Sequence, residues 1–172
     1  MKRIAVDMDG VLANVYSQFT KLHAAEFGEV LSDKEINGRP EGKVFANARK
    51  YVNSPGFFLN APVIADSQRV LEKLNREYEV FIVSAAMEFP NSLTEKQRWL
   101  NEHFPFIVWQ QMVFCGSKSI INADIMIDDH FKNLDHFTGQ TILFTQPHNI
   151  FANPGIHKRV DSWKEIEQLL IS

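Results

Sequence analysis

At 172 residues the chain has the size of one globular domain with room for a small insertion. Hydrophobic residues make up 45% of it, including fourteen Phe and three Trp, which is enough apolar mass for a sizeable core. The formal charge of −3 and the loose scatter of Arg39, Lys43, Arg49 and Lys50 exclude a surface built to coat a nucleic-acid polymer, while leaving those side chains free to meet a small anion.

In chain order, the first element is the strand Arg3-Ile4-Ala5-Val6-Asp7. The apolar stretch between Arg3 and Asp7 is too short for a signal peptide, and no run approaches the length needed to span a membrane. The one cysteine, Cys115, cannot form an intramolecular disulfide and reads as a buried structural thiol, so the expected location is cytoplasmic. From about residue 15 to 63 the pattern is helical. Tyr16 to Phe27 forms one helix, Ser32 with Glu35 caps a short second, and a third runs around Val44 to Val52. Gly38, Pro40, Gly42, Pro55 and Gly56 punctuate them. No strand-like run resumes until after Pro62, which predicts a helical cap inserted over residues 15–63.

Beyond it, Asp66-Ser67 precede Val70, Leu71 and Leu74 at helical spacing, and Val80 to Ser84 is a second strand. Ser92 with Glu95 matches a capping box ahead of Trp99 and Leu100. Met112 to Cys115, Ile125 to Asp129 and Thr141 to Phe144 read as further strands, and Ser162 with Glu165 caps a last helix carrying Ile166, Leu169 and Leu170. Unbroken apolar runs alternating with helices predict an α/β fold, a Rossmann-like doubly wound parallel sheet, with residues 1–14 and 64–172 as its core. Ligands bind such sheets outside the carboxyl ends of the strands, where the acidic and hydroxyl residues of this chain fall.

Asp7-Met8-Asp9-Gly10 ends the first strand and Asp128-Asp129 ends a later one. If those strands are neighbours, up to four carboxylates converge. At about 4 Å and an effective dielectric near 20, each like pair repels by roughly 4 kcal/mol, so a cation is required. Oxygen-only ligands favour a hard ion, and Mg²⁺ takes one or two carboxylates together with water and a phosphate oxygen. Lys118, after the Met112 run, offers a point charge to phosphate, and Ser84 offers a hydroxyl beside the N–H groups of Ala85 and Ala86. Asp7 is then placed to attack phosphorus as a nucleophile, with Asp9 as acid and base.

Asp7/Asp9, Ser84, Lys118 and Asp128/Asp129, in that order, resemble the haloacid dehalogenase superfamily. Within it, Asp7-Met-Asp-Gly-Val-Leu-Ala13, Lys118-Ser-Ile-Ile-Asn-Ala-Asp-Ile-Met-Ile-Asp-Asp129 and the exit Phe57-Phe58-Leu59 before Pro62 are similar to the 5′(3′)-deoxyribonucleotidase family. The resemblance implies a haloacid dehalogenase-like fold and a Mg²⁺-dependent phosphomonoesterase acting on nucleoside monophosphates through an aspartyl-phosphate. It implies Asp7 as nucleophile, Asp9 as acid/base, and Ser84 and Lys118 on the phosphate. The metal ligands it implies are Asp7, the Asp9 main-chain carbonyl and an acid of the last pair, Asp129 ahead of Asp128. Position 15, six after the second Asp of the motif, is Val15, where better-known members carry an aromatic that contacts the base. The alternatives are a phosphatase of another small monoester, such as a sugar phosphate, and a non-catalytic sensor of phosphate or nucleotide. Oligomeric state is left open.

Other residues read more plainly. Gly116-Ser117-Lys118-Ser119 is no P-loop, because the leading glycine position is Met112. His130 reads as a surface residue at a helix start, and His148 and His157 as loop residues without metal-ligand spacing. Phe45, Tyr51, Phe57 and Phe58 are first the core of the helical insertion and only second candidates to stack on a base. Arg39 and Lys43 are minor candidates for substrate anion contacts.

Overall fold

A computed structural model describes residues 1–171; residue 172, the last position of the expected core, lies outside the described residues. The sheet has six parallel strands: β1 Arg3–Val6, β2 Glu79–Ser84, β3 Met112–Phe114, β4 Ile125–Asp128, β5 Gln140–Phe144 and β6 Lys158–Val160. Their spatial order is β3-β2-β1-β4-β5-β6, so β1 lies between β2 and β4. This is the doubly wound order with the switch point beside β1. In register, Val6 pairs with Ile82 on one side and Ile127 on the other, which brings the residues following β1 and those ending β4 to the same edge.

Both faces of the sheet are covered, as unbroken apolar strands require. Ile4, Val6, Ile82, Ile127 and Ile142 point to one face, against the helices α5 Ser67–Glu77, α6 Ser92–His103 and α8 Trp163–Leu170. Ala5, Val83, Met126 and Leu143 point to the other, where the short helix α7 Phe131–Leu134 lies. Among the described residues no helix is long and apolar enough to cross a membrane.

Between β1 and α5 come four helices, α1 Val15–Phe27, α2 Asp33–Ile36, α3 Glu41–Val44 and α4 Ala48–Val52. They share a separate cluster in which Tyr16, Phe19, Phe45, Tyr51, Phe57 and Phe58 are buried. Helices of four or five residues have no stability of their own, so this aromatic packing is what holds them. The single helix expected around Val44 to Val52 is instead broken in two, because Phe45 leaves the helical path to stack on Phe19 with ring centroids 5.2 Å apart.

Three local expectations differ from the structure. The Ser92/Glu95 pair is no capping box: Ser92 Oγ donates to Ala86 O, and Glu95 reaches away from its own helix. Asp66 precedes α5 with a positive φ of 63° and no capping side-chain bond. Strand β6 has no counterpart in the sequence pattern, since two of its three residues are Lys158 and Arg159 and only Val160 is buried.

Candidate active site

The carboxyl ends of β1, β2 and β4 form the floor of a cleft of about 510 Å³. Asp7 follows β1 directly and its N–H donates to Ile127 O at 2.9 Å, a continuation of the sheet ladder that fixes where the side chain points. After Asp9 the chain turns at Gly10, whose φ is +79°. A Cβ there would strike the Asp129 carboxylate, so glycine is required both for the turn and for close approach.

Two buried lysines organise the acids. Lys118 Nζ lies 2.5 Å from Asp7 Oδ1 and 2.6 Å from Asp128 Oδ2. Lys96 Nζ lies 2.5 Å from Asp9 Oδ2 and 2.9 Å from Ser84 Oγ, with the Phe58 ring centroid 4.6 Å away. Asp128 is fully engaged: the His130 N–H and Asn133 Nδ2 donate to it as well. Asp129 is different. Its main-chain carbonyl accepts from Asn149 Nδ2 at 2.8 Å, but among the described residues its buried Oδ1 has no hydrogen-bond partner, and neither has Oδ1 of Asp9.

Asp7, Asp128 and Asp129 each bring one carboxylate oxygen within 4.8 Å of the others. Burial pushes the Asp7 carboxyl up to about 6; Lys118 opposes this while Asp128 and Asp9 add to it. Burial, then the charges of Asp7 and Asp128, drive Asp129 well above the usual carboxylate range. The Lys118 ammonium is held charged against its own burial by Asp7 and Asp128. Negative charge at the floor therefore exceeds what Lys118 balances. An all-oxygen donor set with an unpartnered buried oxygen fits a hard divalent cation.

The expected residues Asp7, Asp9, Ser84, Ala85 and Lys118 all line this one cleft, with Asp128 and Asp129 immediately behind Asp7. Ala86 is buried and its carbonyl, rather than its N–H, has a side-chain partner, Ser92. Val15, Phe19, Phe57, Phe58 and Phe89 wall the cleft, while Phe45 and Tyr51 are packed away inside the helical layer. Arg49, and not Arg39 or Lys43, is the arginine lining it.

The family model described as "5' nucleotidase, deoxy (Pyrimidine), cytosolic type C protein" matches residues 1–172. The chain belongs to this family. A 5′(3′)-deoxyribonucleotidase of Bacillus subtilis (strain 168) is 41% identical over 179 residues, spanning 99% of this chain and 99% of that protein. Among solved structures, a haloacid dehalogenase-like family hydrolase from Streptococcus pneumoniae superposes with a TM-score of 0.64 at 13% identity, covering 98% of each chain. A magnesium-bound HAD-type hydrolase from Bacillus subtilis does so at 0.62 and 13%, again over 98% of each. These structural likenesses establish the haloacid dehalogenase-like fold.

Within this nucleotidase-family site, the residue that sequence reasoning missed is Lys96, which is 2% exposed. A signal existed: Ser92, Lys96, Trp99 and Leu100 form the buried face of α6, so the lysine sits where helical periodicity calls for an apolar side chain. His130 and His148 are also closer to the acids than expected. Their rings stack at 4.3 Å, and His148 Nε2 lies 3.0 Å from the Asp129 carbonyl oxygen. His157 is buried rather than loose, between Thr141 Oγ1 and Asp135 Oδ1. Cys115 is half-buried with its sulfur toward Ser84 O, and burial pushes its thiol pKa up.

Proposed function

We propose that the chain is a Mg²⁺-dependent phosphomonoesterase that hydrolyses (deoxy)ribonucleoside monophosphates to nucleoside and phosphate. Family membership makes it a nucleotidase-type hydrolase of phosphoric monoesters. The finer reading rests above all on one observation: a buried Asp7 paired with Lys118 faces the Asp9–Lys96–Ser84 group at the floor of an aromatic-walled cleft.

Asp7 attacks phosphorus in line and becomes an aspartyl-phosphate while the ester oxygen leaves. Asp9 protonates that oxygen and afterwards takes a proton from the water that hydrolyses the intermediate. Its side chain is 30% exposed, enough to meet both leaving group and water. Lys118, Ser84 Oγ and the Ala85 N–H hold the phosphoryl oxygens. Mg²⁺, held by Asp7, the Asp9 main-chain carbonyl and Asp129 with Asp128 behind, would screen the phosphate from the nucleophile. Asp128 keeps Lys118 in place. Residues 15–63 act as a cap over a core of residues 1–14 and 64–172, and Phe57, Phe58, Phe19 and Phe89 receive the nucleoside. The cytoplasm is the compartment that suits a lone free thiol.

A phosphate-release screen of nucleotides and sugar phosphates, with and without Mg²⁺, tests the substrate, and a preference for sugar phosphates over dUMP and dTMP would overturn it. Asp7→Asn tests the chemistry: the variant should fold and lose about 10⁴-fold or more in kcat. Retained turnover ends the covalent mechanism.

A further inference from the structure

Helix α6 presents two stripes of side chains, one residue apart, to two different parts of the molecule. Ser92 and Lys96 face the reaction floor, bonding Ala86 O, Asp9 and Ser84. Glu95 and Trp99 of the helix and Asn91, the residue just before its first turn, are spaced four apart on one side and all bond the backbone of the cap. Asn91 Nδ2 donates to Val52 O at 3.0 Å and Trp99 Nε1 to Ala61 O at 2.8 Å. Between them the Glu95 carboxylate accepts three backbone N–H groups, from Gly56 at 2.6 Å, Phe58 at 3.1 Å and Leu59 at 3.2 Å.

Those three amides belong to the turn that carries Phe57 and Phe58, two walls of the cleft. Gly56 enters the turn at φ +87°, and its N–H converges with those of Phe58 and Leu59 on the Glu95 carboxylate. Without Glu95 the turn would have three converging donors and no acceptor, and charge-assisted bonds of this kind are stronger than neutral ones. The next residue along the helix, Lys96, holds Asp9 and sits under the Phe58 ring. The distance from aromatic wall to acid/base group is thus set through two adjacent residues of one rigid helix.

We propose that Glu95 is a positioning residue for substrate selection, fixing the Phe57-Phe58 wall at a set height above Asp9. The proposal rests on the phosphomonoesterase reading of the site. It assigns Glu95 to the fit of the leaving group and not to phosphoryl transfer. Loss of its carboxylate lets the turn drift, so bulky leaving groups lose their contact while compact ones, which do not reach the wall, are little affected.

The test compares wild type and Glu95→Gln on acetyl phosphate, whose leaving group is small and has no ring, and on whichever bulky monophosphate wild type hydrolyses best. The wild-type panel judges the nucleotide reading by itself; the change between variants judges Glu95. The expected result is a KM for the bulky substrate raised about tenfold, kcat within about threefold, and kcat/KM for acetyl phosphate within about threefold. An unchanged KM, or an equal fall for both substrates, overturns the proposal. If Glu95→Gln does not fold, Glu95→Asp, which keeps the charge one methylene shorter, is read by the same criteria. Amide hydrogen exchange supplies a readout independent of turnover: Gly56, Phe58 and Leu59 should exchange faster in the variant, and unaltered protection there also overturns it.

Discussion

The floor and the wall of the cleft are built on different principles. The floor hangs on strand ends: Asp7 continues the ladder of β1, Asp128 closes β4, and each has its direction fixed by backbone register and by Lys118. The wall hangs on side-chain packing among short helices that could not form alone, with Phe19, Phe57 and Phe58 wedged against one another. Register places charges to a fraction of an ångström and leaves little room for variation. Aromatic packing tolerates exchange of one apolar shape for another. The two meet only at α6, where Glu95 anchors the wall turn and Lys96 holds Asp9, so a fold of this kind can keep one reaction while packing elsewhere in the wall changes its selectivity.

The comparison is broken most sharply at the floor. Lys118→Met leaves two buried carboxylates, Asp7 and Asp128, without their shared counter-charge. Removing one partner of a buried ion pair costs about 3–5 kcal/mol, and urea unfolding should show a loss of that size. Lys96→Met should cost less, since its partner Asp9 is 30% exposed and water can solvate it, whereas Asp7 is 8% exposed. Equal losses in the two variants would contradict the idea that burial at the floor decides the energy.

A pH titration of the metal-free protein sharpens the same point. Asp7 is pushed up to about 6 by burial, so folding favours its protonated form. Its contribution to stability is complete below the unfolded value near 3.8 and is lost as pH rises through 6. Asp129, also raised by burial and by the charges of Asp7 and Asp128, adds a loss of the same sign. Melting followed in chelator from pH 4 to 8 should therefore fall by an amount on the order of a few kcal/mol. Asp129→Asn should flatten this slope and exceed wild type in stability at pH 8 without metal. Added Mg²⁺ at a hundred times its dissociation constant should stabilise wild type by about 2.7 kcal/mol and the variant far less. A wild-type protein that is equally stable across that pH range would show that the floor does not carry the excess negative charge argued here.

The two regions also differ in how far the sequence discloses them. Parallel strands buried on both faces are continuous apolar runs, so the acids and hydroxyls at their ends stand out against what precedes them, and Asp7, Ser84 and Asp128 are found at once. Edge strand β6 gives no such run, because its pairing with β5 comes from the neighbour and not from its own two charged residues. Helix α6 misleads in another way. Ser92 followed by Glu95 looks the same whether the glutamate folds back on its own helix or reaches across to Gly56, and only the tertiary position of that turn decides. Lys96 is hidden because its partners Asp9 and Ser84 are remote in sequence. The wall is the least legible part. Phe45, Tyr51, Phe57 and Phe58 are alike in composition, and which rings face the cleft depends on where Phe45 interrupts the helical path.

That last distinction gives the smallest and most discriminating effect. Phe58 lines the cleft and covers Lys96, whereas Phe45, 1% exposed, stacks on Phe19 within the helical layer. Replacing either by Leu keeps an apolar side chain and removes an aromatic face, at a cost of about 1 kcal/mol beyond simple burial. On the proposed reading Phe58 meets the substrate, so for Phe58→Leu the KM for the preferred monophosphate should rise about fivefold, the equivalent of about 1 kcal/mol. For Phe45→Leu the same loss should appear in unfolding free energy, with KM within about twofold of wild type. Steady-state kinetics and urea melts on the two proteins separate the cases. If Phe45→Leu shifts KM as much as Phe58→Leu does, packing inside the layer is transmitted to the wall, and the wall is then as tightly determined as the floor.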